Sequence, residues 1–409
     1  MTKTKISVIL YAALLSAALL LPALAMPFLD HDARRKWENR NLTKLPELKQ
    51  AIANPKPTFA QLDDYINDHI GGGFQVIKFR KNFHYKYLGN TGDKYITRGK
   101  NGAMFLTSSF SDKTRDKPFA WWKSLCVVTQ NEKPQKIYAR QIKESHDLLS
   151  SRGAKVIYSS IPTKPGLMPQ NASTSTPNYL RKACTEYSNG EKHLPAIQKR
   201  IPQINFFYPF DAFKARVSDP KFYPTASYHW SGESGWVFTE EFAKEFNFQL
   251  SSKWDHGPCK QQLVRWDIGR LTGVANETPG CDRDFEKLAL NRNLKFEYPI
   301  DTNLAAAEAG TNNPVKSIKM VEFKNPTVKT GSTAVILSNS FGRNGADQLA
   351  SLFSTTYHLN TNGMSAPKLK NLYLHSDFLD VDYVIVIAGD FHYPGYLSNV
   401  RVRGFEPDG

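Results

Sequence analysis

A serine in a small polar turn near the C-terminus is the residue best placed for chemistry. The apolar run Ala334–Leu337 predicts a buried strand, and the turn Ser338–Gly342 (SNSFG) follows it, ahead of a predicted helix start. At the carboxyl end of a central strand, the hydroxyl of Ser340 is presented where the first backbone N–H groups of the helix point. These N–H groups can stabilise an oxyanion. The alternative is an ordinary strand-to-helix loop whose serines cap a helix.

A histidine upstream can supply the base that such a serine needs. His229 stands just before a predicted helix over Trp230–Phe246. A neutral serine hydroxyl is a poor nucleophile, and a histidine within hydrogen-bond distance removes its proton during attack. A histidine at a helix start can also be structural, held by a backbone carbonyl. The hypothesis is therefore that Ser340 and His229 form an acyl-serine site.

The elements that would position this pair alternate between helix and strand. Apolar spacing predicts helices over Phe59–Leu88, broken at Gly71–Gly73, and over Pro134–Ser151 and Trp230–Phe246. Short apolar runs predict strands at Ala154–Ile161, Gln203–Tyr208, Ala334–Leu337 and Asp382–Ala388. Such alternation is typical of a parallel sheet wrapped by helices. Between Ser251 and Thr330 the pattern dissolves, which predicts a loop-rich insertion in a single α/β domain over residues 26–409.

The order and spacing of short motifs resemble the alginate O-acetyltransferase family, periplasmic relatives of the SGNH hydrolases. Besides the serine turn and His229-Trp230, the matching segments are Glu38–Leu42 (ENRNL), Gly99–Phe105 (GKNGAMF) and Ile161–Lys164 (IPTK). Coverage runs from about Glu38 to about Gly389. The resemblance implies an SGNH-like parallel sheet and a serine–histidine site that acetylates a secreted polysaccharide. It also implies a membrane-bound O-acyltransferase as the acetyl supplier, and no cofactor.

Two positions depart from the family's pattern. Ser227 stands where the family has an acid two places before the histidine, and Asn339 stands where an aspartate commonly precedes the nucleophile. The acid would orient the histidine and stabilise the imidazolium, whereas a serine hydroxyl brings no charge. Three outcomes stay open. The serine and histidine work as a dyad, a carboxylate such as Asp211 or Asp390 comes from elsewhere, or the site is weakened or inactive.

Further residues near the pair have predicted roles in binding. The backbone N–H of Ser340 and the side chains of Asn339 and Asn344 are candidate donors to the oxyanion. Arg343, one turn beyond the serine, is placed to meet a carboxylate of a uronic acid polymer; the alternative is solvation on the helix surface. Two aromatic neighbours of the histidine are the other candidate substrate contacts, Tyr228 and Trp230.

Composition indicates a globular chain with a basic surface. The 409 residues are 41% hydrophobic and 22% charged, and the formal net charge is +15 at pH 7. Such a surface attracts polyanions; no nucleic-acid-binding motif is present, so an acidic polysaccharide or an anionic membrane is the predicted partner. Excess lysine that only keeps the protein soluble is the alternative. The pair Trp121-Trp122 is either a stacking platform for sugar rings or partly buried core. The histidines show no metal-binding spacing, so no metal is predicted.

The first residues and the cysteines indicate export to the periplasm. Lys3 and Lys5 precede the apolar stretch Ile6–Leu21, and Pro22–Ala25 supplies small residues for a signal peptidase. Cleavage after Ala25 is predicted, with retention as a membrane anchor as the alternative. Four cysteines without C-x-x-C spacing then predict disulfides rather than buried thiols. The preferred pairs are Cys126–Cys184 and Cys259–Cys281.

Three functions from different classes are consistent with these residues. The first is an exported acetyltransferase that acts on an exopolysaccharide. The second is an acetylesterase, which uses the same serine and histidine but admits water. The third is a non-catalytic polysaccharide-binding or scaffold protein of a secretion complex, which Ser227 favours.

Overall fold

The chain folds into a seven-stranded sheet with helices on both faces. The computed structural model describes residues 31–38, 42–47, 54–70, 73–93, 95–107, 119–230, 232–250, 317–361 and 380–391, the strands at 260–263, 279–282 and 291–299, and the single residues 16, 49 and 268. The strands are β1 (Ile96–Arg98), β2 (Met104–Leu106), β3 (Lys155–Ile161), β4 (Asn205–Phe207), β5 (Lys260–Leu263), β6 (Pro279–Asp282), β7 (Asn291–Pro299), β8 (Ser317–Lys324), β9 (Thr333–Ser338), β10 (Thr355–Asn360) and β11 (Tyr383–Gly389). The α-helices are α1 (His31–Glu38), α2 (Pro55–His69), α3 (Gly73–Tyr87), α4 (Ala120–Cys126), α5 (Glu132–Ser150), α6 (Lys164–Leu167), α7 (Asn178–Asn189), α8 (His193–Gln198), α9 (Phe210–Arg216), α10 (Gly232–Phe246), α11 (Ser340–Arg343) and α12 (Ala346–Ala350).

The sheet is mostly parallel. Its strand order is β4-β3-β11-β9-β10-β8-β7, in which the first five strands are parallel to one another and β8 and β7 are antiparallel additions at one edge. The sequence predicts four of the five parallel strands, β3, β4, β9 and β11, and these four are neighbours in the sheet. The predicted fold class, a parallel α/β sheet flanked by helices, is confirmed.

The segment predicted as a loop-rich insertion contributes two strands to this sheet. β8 pairs with β10, and β7 pairs with β8. The prediction of loops is therefore wrong for residues 291–299 and 317–324. β8 (SIKMVEFK) buries Met320 and Phe323 between charged residues, so its apolar run is too broken to resemble the continuous pattern of a central strand.

Alternate residues of the central strands belong to two hydrophobic cores. On β9, Ala334 and Ile336 pack with helices α4, α7, α9 and α10, whereas Val335 and Leu337 pack with α5 and α8. Side chains alternate across a strand, so a strand covered on both faces is apolar at every position. This explains why the runs before Ser338 and in β11 are continuous.

The chain divides into two compact units: Met1–Asp93 with Asp267–Ala275, and Lys94–Trp266 with Asn276–Gly409. In the first unit, Arg34 of α1 donates to the carbonyls of Asn67 (3.1 Å) and Asp68, and the backbone N–H of Thr43 donates to the Asp68 carboxylate at 2.7 Å. The second unit holds the sheet. Because the first unit and the 251–316 segment are described only in part, the single domain over residues 26–409 stays a prediction.

A disulfide joins two helices of the larger core. Cys126 at the end of α4 is bonded to Cys184 in α7 with an S–S distance of 2.05 Å, which confirms one predicted pair. Cys259 of the second predicted pair lies outside the described residues, as does the signal segment 1–25 apart from residue 16. None of the helices in the described part of the chain combines the length and the apolar character of a membrane-spanning segment.

Candidate active site

Ser340 is the first residue of α11, directly after the central strand β9. The backbone N–H of Asn339 donates to the carbonyl of Ile387 on β11 at 3.2 Å, which continues the pairing of the two strands up to the turn. The side-chain oxygen of Asn339 accepts the backbone N–H of Phe341 at 3.0 Å and caps the helix. The capping residue is therefore the asparagine, and the half-buried Ser340 is presented at the carboxyl end of the sheet.

A glycine allows this turn to fold tightly over the strand end. A Cβ atom at Gly342 would lie 2.3 Å from the Cβ of Ser338 and 3.1 Å from the Cβ of Ile387. Any side chain here would push α11 away from the sheet, and Ser340 would move with it. The glycine of the SNSFG motif is thus required sterically by the turn.

The structure brings the two predicted catalytic residues together. The Nε2 atom of His229 lies 2.9 Å from the Oγ atom of Ser340, although 111 residues separate them. With the ring proton on Nδ1, Nε2 accepts the serine hydroxyl, which is the geometry a general base needs. Two neighbouring rings hold the imidazole: Tyr228, with centroids 3.9 Å apart, and Phe341, at 4.7 Å.

Ser227 stands at the position where the family has an acid, and its side chain forms a neutral hydrogen bond with the backbone. Its hydroxyl accepts the backbone N–H of His229 at 3.0 Å, and the residue is buried. This contact is the local turn that serine side chains commonly form with an N–H two residues on. It fixes the backbone of the histidine, but it supplies no negative charge to an imidazolium.

A buried lysine, which the sequence suggested only as part of a P-x-K match, holds the histidine loop. The ammonium of Lys164, at the start of α6, donates to the carbonyls of Pro224 (2.7 Å), Thr225 (2.9 Å) and Ser227, and to that of Met104 on β2 at 3.3 Å. Lys164 is almost fully buried. Charge-assisted hydrogen bonds of this kind are stronger than neutral ones. A lysine directly after a buried strand is the sequence signal that could have identified this contact.

The two carboxylates proposed as replacement acids have other positions. Asp390 lies buried just after β11, where its carboxylate accepts the N–H of Thr163 at 3.1 Å, the Thr163 hydroxyl, and the hydroxyl of Tyr208 at 2.8 Å. Asp211 is exposed in the first turn of α9 and lines a separate pocket with Glu241. Both oxygens of Asp390 therefore accept hydrogen bonds from Thr163 and Tyr208, which follow β3 and β4, and not from the histidine, which corrects that expectation.

Asp390 ends a buried chain of polar groups. Tyr208 also contacts the hydroxyl of Tyr187 at 2.8 Å, and Tyr187 contacts Nδ1 of His193 at 3.0 Å. Burial raises the pKa of Asp390 to about 6, although its hydrogen bonds to Thr163 and Tyr208 oppose the shift. Burial also lowers the pKa of His193 to about 3. This row of polar groups is thus neutral at His193 and titratable at Asp390.

The other predicted site residues differ in accessibility. Trp230 is fully buried and donates its ring N–H to the carbonyl of Phe341 at 2.6 Å, so the predicted substrate contact is wrong and the ring instead ties the histidine segment to α11. The amide of Asn344 donates to the carbonyl of Trp230 at 3.0 Å and forms a second tie. Arg343 is exposed one turn beyond the serine, and Tyr228 is half-buried. The oxyanion roles of Asn339 and Asn344 and the substrate roles of Arg343 and Tyr228 stay predictions.

A small, mostly apolar pocket of about 20 Å³ is lined by Tyr228, whose ring contacts that of His229. Trp121 lines it and stacks on Phe391, with ring centroids 4.3 Å apart. Trp122 is fully buried and donates to the carbonyl of Leu106 at 3.2 Å. The two predicted alternatives for the tryptophan pair therefore divide between its members: Trp121 faces a pocket, and Trp122 is core.

A second serine–histidine contact lies in the sheet beneath the turn. The hydroxyl of Ser338 lies 2.8 Å from Nε2 of His358 on β10, and both residues are buried. The sequence analysis missed this contact, because nothing in β10 (TTYHLN) sets its histidine apart. Because Ser338 is buried beneath Gly342, its contact with His358 is a structural one beside the site.

No protein-family model and no curated protein sequence matches the chain. Several solved structures are similar at low identity. A DHHW family protein from Eubacterium siraeum is 13% identical with a TM-score of 0.42, over 65% of this chain and 88% of that one. The O-acetyltransferase domain of AlgJ from Pseudomonas putida is 14% identical with a TM-score of 0.40, over 76% of this chain and 96% of that one.

AlgX from Pseudomonas aeruginosa is 13% identical with a TM-score of 0.36, over 77% of this chain and 70% of that one. The similar solved structures thus include an O-acetyltransferase domain, the class of protein that the sequence motifs resemble. At these identities and TM-scores, the chemistry of the site has to be argued from the residues of this chain.

Proposed function

We propose that the protein is an exported O-acetyltransferase that moves an acetyl group through an acyl-serine at Ser340 onto hydroxyl groups of a secreted, anionic polysaccharide. The 2.9 Å contact between Ser340 Oγ and His229 Nε2, at the carboxyl end of a parallel strand, carries the proposal. The motif order that resembles the alginate O-acetyltransferases supports acetyl as the transferred group. The signal-like N-terminus supports export to the periplasm, and the net charge of +15 supports an anionic polymer.

In the first half-reaction, His229 takes the proton of the Ser340 hydroxyl at Nε2 while Oγ attacks the acetyl carbonyl of the donor. The carbonyl electron pair moves onto the oxygen and is stabilised by the backbone N–H of Ser340, with Asn339 or Asn344 as the side-chain donor. When the oxyanion collapses, the bond to the leaving group breaks and His229 returns the proton to it. Acetyl-Ser340 remains.

In the second half-reaction, a sugar hydroxyl takes the place of the leaving group. It gives its proton to His229 and attacks the acetyl carbonyl, and Ser340 regains a proton when the ester to Oγ breaks. The exposed Arg343 is the group that would pair with a uronate carboxylate of the acceptor. Because an exported enzyme has no acetyl-coenzyme A, a membrane-bound O-acyltransferase is the proposed donor of the acetyl group.

Two other functions are distinguished from the acetyltransferase by the labelling experiment described next. An acetylesterase would form the same acetyl-serine and release acetate to water. A non-catalytic polysaccharide-binding or scaffold role is favoured by one observation, the neutral Ser227 that bonds the backbone of His229 in place of an acid. In that case no acetyl-serine forms.

The test is intact-mass analysis and peptide mapping after exposure to an activated acetyl ester. The proposal expects one acetyl group on the Ser340 peptide of the wild type and none in Ser340→Ala or His229→Ala. Ser338→Ala is the matched control, because it removes the other serine of the same turn and should retain the label. Transfer to an oligouronate separates the transferase from the esterase, and an unlabelled wild type contradicts both.

A further inference from the structure

Helix α3 carries an exposed apolar stripe far in sequence from the candidate active site. Its members, Val76, Phe79, Phe83 and Tyr87, are 65%, 71%, 42% and 75% exposed. Their spacing of three and four residues places them on one side of the helix. Phe83 contacts Phe79 and Tyr87, with centroids 6.2 Å and 5.2 Å apart, so the rings form a continuous ridge.

Basic residues flank this ridge. At 100° per residue, Arg80 falls on one side of the stripe and Lys86 on the other, and both are exposed. The helix (GFQVIKFRKNFHYKY) contains two more lysines, Lys78 and Lys81, and no aspartate or glutamate. Lys81 faces away from the ridge and pairs with Asp93 at 3.4 Å. The exposed half of α3 is therefore an aromatic ridge between cations.

Further exposed apolar side chains lie in the same N-terminal unit as the ridge. Among the described residues, eight of the eleven large hydrophobic side chains that are exposed lie between residues 45 and 88. Phe59 and Ile66 on α2 belong to this set, at 70% and 41% exposure. The ring contacts make the α3 ridge contiguous apolar surface, which marks an interaction site, whereas single exposed side chains do not.

We propose that α3 binds an anionic lipid surface, lying in the plane of the membrane interface with its aromatic ridge among the lipid headgroups. An apolar face between Lys and Arg flanks is the pattern of an interfacial helix. Lysine is depleted at protein–protein interfaces, and cations beside an apolar face attract anionic lipid, so lipid fits better than a protein partner. Arg80 and Lys86 would contact headgroup phosphates. The inference does not depend on Ser340.

The test is hydrogen–deuterium exchange of the full chain with vesicles. With phosphatidylglycerol vesicles, amides of residues 73–87 should exchange more slowly, and the protection should weaken as salt is raised. With phosphatidylcholine vesicles the effect should be small. Any insertion of the apolar stretch at residues 6–21 occurs with both lipids, so the difference between them reports on α3. Residues 178–189 of α7 should not change in either case.

Variants separate the two parts of the surface. Replacing both Arg80 and Lys86 by Gln should raise the vesicle concentration for half-maximal protection about 25-fold, at about fivefold per cation. Phe79→Ser with Phe83→Ser should abolish protection, whereas Tyr179→Ser removes a ring that is 55% exposed in α7 and should have no effect. Each variant needs a wild-type circular dichroism spectrum.

Three outcomes would overturn the proposal. One is an α3 peptide that does not respond to phosphatidylglycerol. Another is protection that rises with protein concentration in the absence of vesicles, which would indicate a second copy of the chain. The last is equal protection by soluble polygalacturonate, which would make the ridge a site for an acidic polymer.

Discussion

Asp390 should make folding stability depend on pH between about 4 and 6. The side chain is fully buried after β11 and accepts hydrogen bonds from Thr163 and Tyr208. Burial raises its pKa from 3.8 to about 6, so the folded protein holds this proton more tightly than the unfolded chain does. Replacing Asp390 by Asn removes the titration and keeps a side chain of the same shape.

The sign and size of the effect follow from the two pKa values. Each pKa unit corresponds to 1.36 kcal/mol, so the shift from 3.8 to about 6 is worth roughly 3 kcal/mol. Because the folded pKa is the higher one, this stabilisation is fully present below pH 3.8 and is lost as the pH rises through about 6. The difference in unfolding free energy, wild type minus Asp390→Asn, should therefore fall by roughly 3 kcal/mol over this range.

A comparison with the variant is needed because His193 acts in the opposite direction. Burial lowers its pKa to about 3, so its contribution to stability rises as the pH rises through that value toward 6.5. Tyr187 and Tyr208 have pKa values raised well above 10 by burial and do not titrate in this range. All three residues are present in both proteins, and their contributions cancel in the difference.

The measurement is urea denaturation at half-unit intervals from pH 3.5 to pH 7.5. Asp380→Asn, which makes the same chemical change at an exposed residue that pairs with Arg152 at 3.2 Å, is the matched substitution. A flat difference for Asp390→Asn would show that the hydrogen bonds of Thr163 and Tyr208 fully offset burial, and the reasoning would be refuted.

Three further predictions concern the disulfide, the turn and the acid position. Replacing Cys126 and Cys184 by Ser should lower the unfolding free energy in urea by about 4 kcal/mol, because the bond closes a loop with a sequence separation of 58; an equal loss on reduction of the wild type is the check. Gly342→Ala should reduce turnover about a hundredfold, because the added Cβ, 2.3 Å from that of Ser338, displaces the nucleophile by the order of an ångström; unchanged turnover would refute the steric argument. Ser227→Asp should raise the acetylation rate about tenfold or more by stabilising the imidazolium, whereas Ser227→Ala should lower it, because the alanine loses the hydrogen bond to the His229 backbone N–H; a slower Ser227→Asp enzyme would show that the site works without a negative charge there.

The strands that the sequence predicts are those buried on both faces. β9 (TAVILS) and β11 (YVIVIAG) are continuous apolar runs, because helices cover each side of the sheet. β10 (TTYHLN) is an equally central strand, yet it places threonine, histidine and asparagine in the sheet, and its alternation is not recognisable. β8, which lies between β10 and the edge strand β7, is also missed, because charged residues interrupt its apolar run.

The serine turn and the histidine are identified by short local patterns, but the groups that support them are not. Lys164 and Ser227, which form one of these contacts, are 63 residues apart in sequence. Asp390 and Thr163 are 227 residues apart. Such pairings depend on which strands are neighbours, and a single sequence does not contain that information. The same limit explains why Trp230, beside the histidine in sequence, was predicted to contact substrate although it is buried under α11.

The geometry separates two tasks that an acid at residue 227 would perform together. The orienting task has other contributors here. Lys164 holds the backbone at residues 224–227 through their carbonyls, Ser227 holds the N–H of His229, and Tyr228 and Phe341 hold the ring. The electrostatic task has no such substitute among these contacts, because hydroxyls and rings carry no negative charge. A site built in this way can hold the serine–histidine contact at 2.9 Å and still react slowly. The Ser227→Asp variant therefore tests charge separately from geometry, because these contacts already position the ring.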